Sequence, residues 1–195
     1  MKTKLLLLAA ALPLAGCISF GAKPPPSLLT LEASAVPAAG RQENSADARS
    51  IVVQVPTTPA AIAVTRVPVE ATPTTLAYVK NAQWAEPPAR LFARMLADTI
   101  TARTNMVVLS SVQSIADPSA TLAGELRRFG LDATRREAVV VYDAALTPAG
   151  KDNVLKRRFE ARTPISAIDA ANAGPALSAA ANQVAGEVAA WVAAS

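Results

Sequence analysis

The chain of 195 residues contains no histidine and only one cysteine, and these two shortages remove most familiar site chemistry. Without histidine there is no Ser-His or Cys-His pair, and no G-x-S-x-G nucleophile turn occurs either. A zinc site needs several Cys, His or carboxylate ligands at suitable spacing, and no such cluster can be drawn. The lone cysteine also forbids an internal disulfide. Eight glycines are scattered along the chain, with neither a G-x-G-x-x-G fingerprint nor a Walker A loop among them, so the chain is not itself an ATPase. Its fifteen acids form no recognisable catalytic constellation, and no enzymatic activity and no cofactor are expected. Aromatic residues make up only 4%. The core must therefore come from Val, Leu and Ile, with abundant alanine suited to helices packed closely on a sheet.

The formal charge of +4 is also small. Once Lys2 and Lys4 are set aside with the leader described next, 17 basic and 15 acidic residues remain. A nucleic-acid binder would show a basic stripe with stacking aromatics, and neither is present.

The amino terminus is informative. Lys2 and Lys4 supply a positive start, and Leu5 to Leu14 is an apolar run interrupted only by Pro13. Such a run is a signal-peptide core, too short to span a bilayer as a helix. It ends in Leu14, Ala15, Gly16 and Cys17, the order of a bacterial lipobox. Residues 1–16 thus read as a lipoprotein signal peptide and Cys17 as the lipidated first residue of the mature chain, carrying diacylglycerol and an N-acyl chain. Two or three acyl chains hold a protein on a membrane stably, where one is marginal. The plainer alternative makes Cys17 a free thiol behind an ordinary signal. Ile18 occupies the position where aspartate commonly retains lipoproteins at the inner membrane, which favours the periplasmic face of the outer membrane, with the inner membrane as the alternative.

Residues 17–26 include Pro24, Pro25 and Pro26 and read as a polyproline-like tether, leaving 27–195 as one domain. Within it, Ser27 to Glu32 is a first short strand candidate and Ser50 to Pro56 the clearest early strand. Ile62 to Val67 and Thr75 to Val79 are weaker candidates. Prolines 56, 59, 68 and 73 place these pieces at sheet edges or in extended connections. Glu86, Pro87 and Pro88 open a helix running to about Arg103, with Leu91, Phe92, Met95, Leu96 and Ile100 on one face. Met106 to Leu109 is a short strand. Thr121–Leu131, Ala138–Leu146 and Val154–Thr163 then read as antiparallel hairpins, with a bulge between Leu126 and Phe129 where the apolar parity slips. Leu177, Ala181, Val184, Val188 and Trp191 define a final helix that starts securely near Pro175, with Asp169 able to cap an earlier turn. The expected fold is a single two-layer α/β domain, a mixed or largely antiparallel sheet with two long helices on one face.

Candidate contact residues come from two features. Arg127 with Arg128, Arg135 with Arg136, and Lys156 with Arg157 and Arg158 are basic clusters in the hairpin region. They read either as solvated strand faces whose stems cover apolar surface, or as a docking patch for an acidic partner or phospholipid headgroups. Trp84, just before Glu86, reads either as an anchor packed at the helix start or as an interface residue.

The Trp84, Ala85, Glu86, Pro87 stretch opening a helix after a proline-rich extended segment resembles the ABC-type transport auxiliary lipoproteins, also called paraquat-inducible protein C-like proteins. The hairpins and alanine-rich final helix match that family's layout over roughly residues 27 to 193. The sequence departs where the family usually has a tyrosine in the first strand, here Leu28 to Leu31. The resemblance implies a non-catalytic auxiliary to an MCE-type lipid transport system, with MCE protein and ABC transporter components as partners, a docking or gating role, and homo-oligomerisation where the transporter is symmetric. A structural lipoprotein scaffolding another outer-membrane assembly is the competing assignment.

Overall fold

The computed structural model describes residues 27–110, 118–151 and 153–195. Residues 1–16, read above as a signal peptide, and 17–26, read as the lipidated cysteine and its tether, lie outside the described residues. Its elements run β1 (Ser50–Val53), β2 (Arg66–Thr72), β3 (Thr75–Gln83), α1 (Pro88–Arg103), β4 (Val107–Leu109), β5 (Ala120–Asp132), β6 (Glu137–Pro148), β7 (Leu155–Pro164) and α2 (Ala170–Ala194). All seven strands belong to one mixed sheet.

The long β5 organises that sheet. On one side it pairs antiparallel with β6, and β6 with β7, giving the expected meander. Its register passes from Leu126↔Tyr142 to Arg128↔Val141, so the extra residue is Arg127, inside the interval where apolar parity slips. On its other side β5 carries two parallel neighbours end to end: β1 beside Ala120–Leu122 and β2 beside Leu131 and Asp132. The sheet forks there, with β4 extending the β1 arm and β3 the β2 arm.

Three expectations about the early chain are corrected. The Ser27–Glu32 strand reduces to a single bridge, Leu29 with Trp84. Beyond it the chain turns onto α2, where the Asn182 side chain accepts from Ser34 N (2.6 Å) and donates to Glu32 O (3.0 Å). The Ile62–Val67 piece divides into a 3-10 turn at Ala60–Ile62 and the start of β2 at Arg66. The proline-bearing β2 is interior, between β3 and β5. Pro68 is tolerated because the β5 ladder begins only at Val69 and because Gly130 faces it: a Cβ there would sit 2.6 Å from Pro68 O.

Both helices cover the same face of the sheet, α2 over β6 and β7 and α1 beside it over β1 and β4. They point the same way. Leu29 bridges Trp84 ahead of α1 and packs on Gly174 in early α2, whereas Arg103 at the end of α1 lies against Gly186. The five apolar residues expected on one face of α1 are all buried, as are Leu177, Ala181, Val184 and Val188 of α2. Asp169 does cap α2, accepting from Asn172 N at 2.9 Å, so the helix begins five residues before Pro175. Between the layers, edge-to-face pairs Phe92–Tyr142 (5.3 Å) and Trp84–Phe129 (5.4 Å) concentrate the few large rings.

Candidate interaction surfaces

The approach to α1 is built by an irregular strand. Between the pairs Arg66↔Gln83 and Pro68↔Tyr78, four residues of β3 oppose Val67 alone, and Asn81 takes φ +58° to close the bulge. The bulge aims the chain inward. Trp84 N then donates to Thr65 O (2.7 Å), Ala85 N donates to Leu29 O (2.9 Å), and the indole is fully buried against Phe129. A side chain with no exposed surface gives a partner nothing to touch, so Trp84 is an anchor and leaves the set of contact residues. No sequence signal marks the bulge beyond an asparagine, the residue besides glycine best suited to positive φ.

Glu86 remains on the surface in a two-point ion pair with Arg94 (2.6 and 3.1 Å). The hydrogen bonds from Arg94 hold its carboxyl below the ordinary glutamate value, outweighing partial desolvation. This pair stands at the rim of an open cleft of about 580 Å³ along the flank of α1, floored by Val53, Val55 and Val108 and walled by Ala93 and Ala97. In the same wall, burial raises the Asp98 carboxyl above its usual value. The cleft was not legible in the sequence, because it depends on how α1 lies against the β1–β4 arm.

The sheet face turned away from the helices holds the first arginine cluster. Arg127 reaches Glu125 (3.3 Å) and Asp143 (3.6 Å), and Asp143 also takes a two-point pair from Arg158 (2.6 and 2.7 Å). These hydrogen bonds, Arg158 first, hold the Asp143 carboxyl low. Arg128 pairs with Glu70 and, at 3.8 Å, with Asp132. Arg162 joins Glu160 (2.7 Å), Glu137 (3.1 Å) and Asp132 (3.9 Å). Beneath these guanidinium groups Val139 and Val141 are almost wholly buried, and they stand in register with Arg162 and Arg128. The Arg128 stem stands in register with Val141, and the heads of both Arg127 and Arg128 are neutralised by neighbouring carboxylates.

Arg135 and Arg136 differ. They form the exposed turn between β5 and β6, with Arg136 at φ +56°. The Arg135 backbone N–H donates to Asp132 (3.0 Å), and the Arg136 guanidinium donates to the carbonyl of Ser166, but neither side chain is in any ion pair among the described residues. Among the described residues, too, no group of three or more acidic or Cys side chains is placed to hold a metal, and no helix is long and apolar enough to cross a membrane.

The model of a family described as ABC-type transport auxiliary lipoprotein component matches residues 29–189, most of the chain. The chain belongs to this family. Two solved structures share its fold. Protein XCC0632 from Xanthomonas campestris superposes with a TM-score of 0.72 at 21% identity, over 86% of this chain and 95% of that one. An uncharacterized protein superposes with a TM-score of 0.63 at 18% identity, over 74% and 92%. A comparison with curated proteins returns no match.

Proposed function

We propose that this auxiliary lipoprotein serves an MCE/ABC-type intermembrane lipid transport system, facing the periplasm and acting as a docking or gating partner without bond chemistry. The observation that carries this is the family match over residues 29–189, which takes in the whole sheet and most of α2 rather than one motif. The lipobox supports the anchor: covalent diacylglycerol and N-acyl lipid on Cys17 hold the body at the periplasmic face of the outer membrane. MCE protein and ABC transporter components are its partners, and self-association of the body would match a symmetric transporter.

In-cell crosslinking of the tagged, lipidated protein, followed by mass-spectrometric identification of captured proteins, tests this, with Cys17→Ala as control. Recovery of an MCE protein, weakened in the control, is the expected result. Recovery of unrelated envelope proteins alone, at good coverage, removes the transport role and leaves a scaffold lipoprotein.

A further inference from the structure

The chain enters the described body at Ser27, and the place where it does so is fixed by three contacts. Leu29 N donates to Gln83 O (2.7 Å), Ala85 N donates to Leu29 O (2.9 Å), and the Leu29 side chain lies on Gly174 in the second turn of α2. From there a continuous series of contacts leads to the turn between β5 and β6. Asn172 bonds Asp169 and Ser166, Ser166 O accepts from Arg136, and Arg136 O accepts from Ile165 N (2.9 Å). The entry point, the 165–169 connection and the Arg135–Arg136 turn therefore belong to one end of the molecule.

That end combines two kinds of exposed side chain. Leu28 and Ile168 are 51% and 41% exposed, and both are aliphatic. Arg135 and Arg136 bring two cations outside every described ion pair. The acids nearby are already engaged: Asp132 faces Arg128 and Arg162, and Asp169 caps α2. Of the other hairpin arginines, Arg127, Arg128, Arg158 and Arg162 are balanced by carboxylates, and Arg157 lies over the Phe159 ring at 5.0 Å. Aliphatic side chains beside unbalanced cations are the composition that binds an anionic phospholipid surface, the first by burial and the second by attraction to headgroups.

The length of chain before Ser27 favours this end over the other. Residues 17–26 span at most about 35 Å even when fully extended. From Phe129, which packs against Trp84 at the entry point, the far end of β5 at Ala120 is roughly 30 Å away at ~3.3 Å per residue. Bringing that far end to the bilayer would use nearly all the tether, whereas the entry end reaches it with the tether slack.

We propose that this end of the body rests on the headgroup layer of the membrane holding Cys17, with Leu28 and Ile168 entering the interface and Arg135 and Arg136 lying over anionic headgroups. This rests on the lipid-anchor reading of Cys17. The surfaces remaining to meet the transport partners are then the sides and the far end.

The test uses the full lipidated protein in phosphatidylcholine vesicles with and without phosphatidylglycerol. Acylation blocks Cys17, so an environment-sensitive dye can be placed singly at Ile168→Cys or, as the far-end control, at Val154→Cys, where the valine is 50% exposed. The Ile168 label is expected to shift to the blue and be quenched by headgroup-borne quencher, more strongly with phosphatidylglycerol, while the Val154 label stays aqueous. Added salt, or Arg135→Glu with Arg136→Glu, should reduce the quenched fraction several-fold. Because Arg136 sits at positive φ, Arg135→Glu alone is the second variant, expected to give a smaller loss in the same direction. Equal responses at both labels, or an Ile168 label indifferent to phosphatidylglycerol and to charge reversal, overturns the proposal. Intact mass of the purified chain reads the anchor separately: a Cys17 without acyl mass overturns the anchor reading and the resting end with it.

Discussion

The two faces of the central hairpins bury valines in different ways. Toward the helices, Ala138, Val140, Tyr142, Ala144 and Leu146 of β6 vanish beneath α1 and α2 in a continuous apolar core. On the other face Val139 and Val141 are nearly as inaccessible, yet no helix among the described residues lies over them, and the guanidinium-bearing strands flank them instead. One face is covered by another secondary-structure layer, the other by side-chain stems whose charges are cancelled locally. The lesson is that the paired arginines on these strands mark a face with no described helix above it, where cross-strand carboxylates cancel their charge. The arginines at the β5–β6 turn, whose side chains are in no ion pair among the described residues, leave their charge uncancelled.

From this contrast, substitutions on the helix side should cost far more than those on the outer face. The largest effect belongs to Trp84→Ala, which removes a fully buried ring and its edge contact with Phe129. A loss of about 3–5 kcal/mol in urea unfolding is expected. Trp84→Phe should be much milder, since Nε1 has no hydrogen-bond partner among the described residues to lose. Next comes Gly130→Ala, whose Cβ would press on the backbone of Pro68 and cost about 1–3 kcal/mol by the same measurement. On the outer face Arg162→Ala uncovers Val139 and should cost about 1 kcal/mol or less, and Arg162→Met, which keeps the stem, should recover part of it. Smallest of all, Arg158→Ala removes an exposed ion pair and should barely move the urea midpoint at neutral pH. An Arg158→Ala loss as large as that of Trp84→Ala would break the comparison.

Acid sharpens it further. The carboxyls of Glu86 and Asp143 are held low by Arg94 and Arg158, so each stabilises the fold fully above the unfolded carboxyl value and loses that contribution as pH falls through its lower folded value. The urea midpoint should thus decline only below about pH 4, and Arg158→Ala should flatten part of that decline. Asp98 acts with the opposite sign, because its folded value is raised by burial and protonation relieves its desolvation.

Much of the fold was legible from periodicity. The five-residue stripe of α1 and the three hairpin strands follow directly from apolar spacing, and the parity slip between Leu126 and Phe129 brackets the bulge that the register places at Arg127. The early chain was harder for a physical reason: local pattern does not reveal a neighbour 60 residues away. Pro68 argues for an edge until Gly130 is placed opposite it, and Ser27–Glu32 looks like a strand until the Asn182 amide takes the Glu32 carbonyl and the Ser34 N–H beyond it. The surfaces were less legible still. Which arginines are neutralised depends on cross-strand register, such as Asp143 beside Arg158, and the cleft by α1 depends on how far a helix covers a sheet arm. Trp84 was the exception, since either of its two readings turned only on whether it was buried.

The central claim, that this lipid-anchored body assists lipid movement between membranes, is tested most directly by pulse-chase of labelled phospholipid in separated inner and outer membranes. Cells lacking the protein would be compared with cells carrying the wild-type chain or Cys17→Ala. The account predicts altered exchange in the deletion, restored by the wild-type chain but not by Cys17→Ala. Exchange that is unchanged by the deletion, with an otherwise intact transporter present, would contradict it.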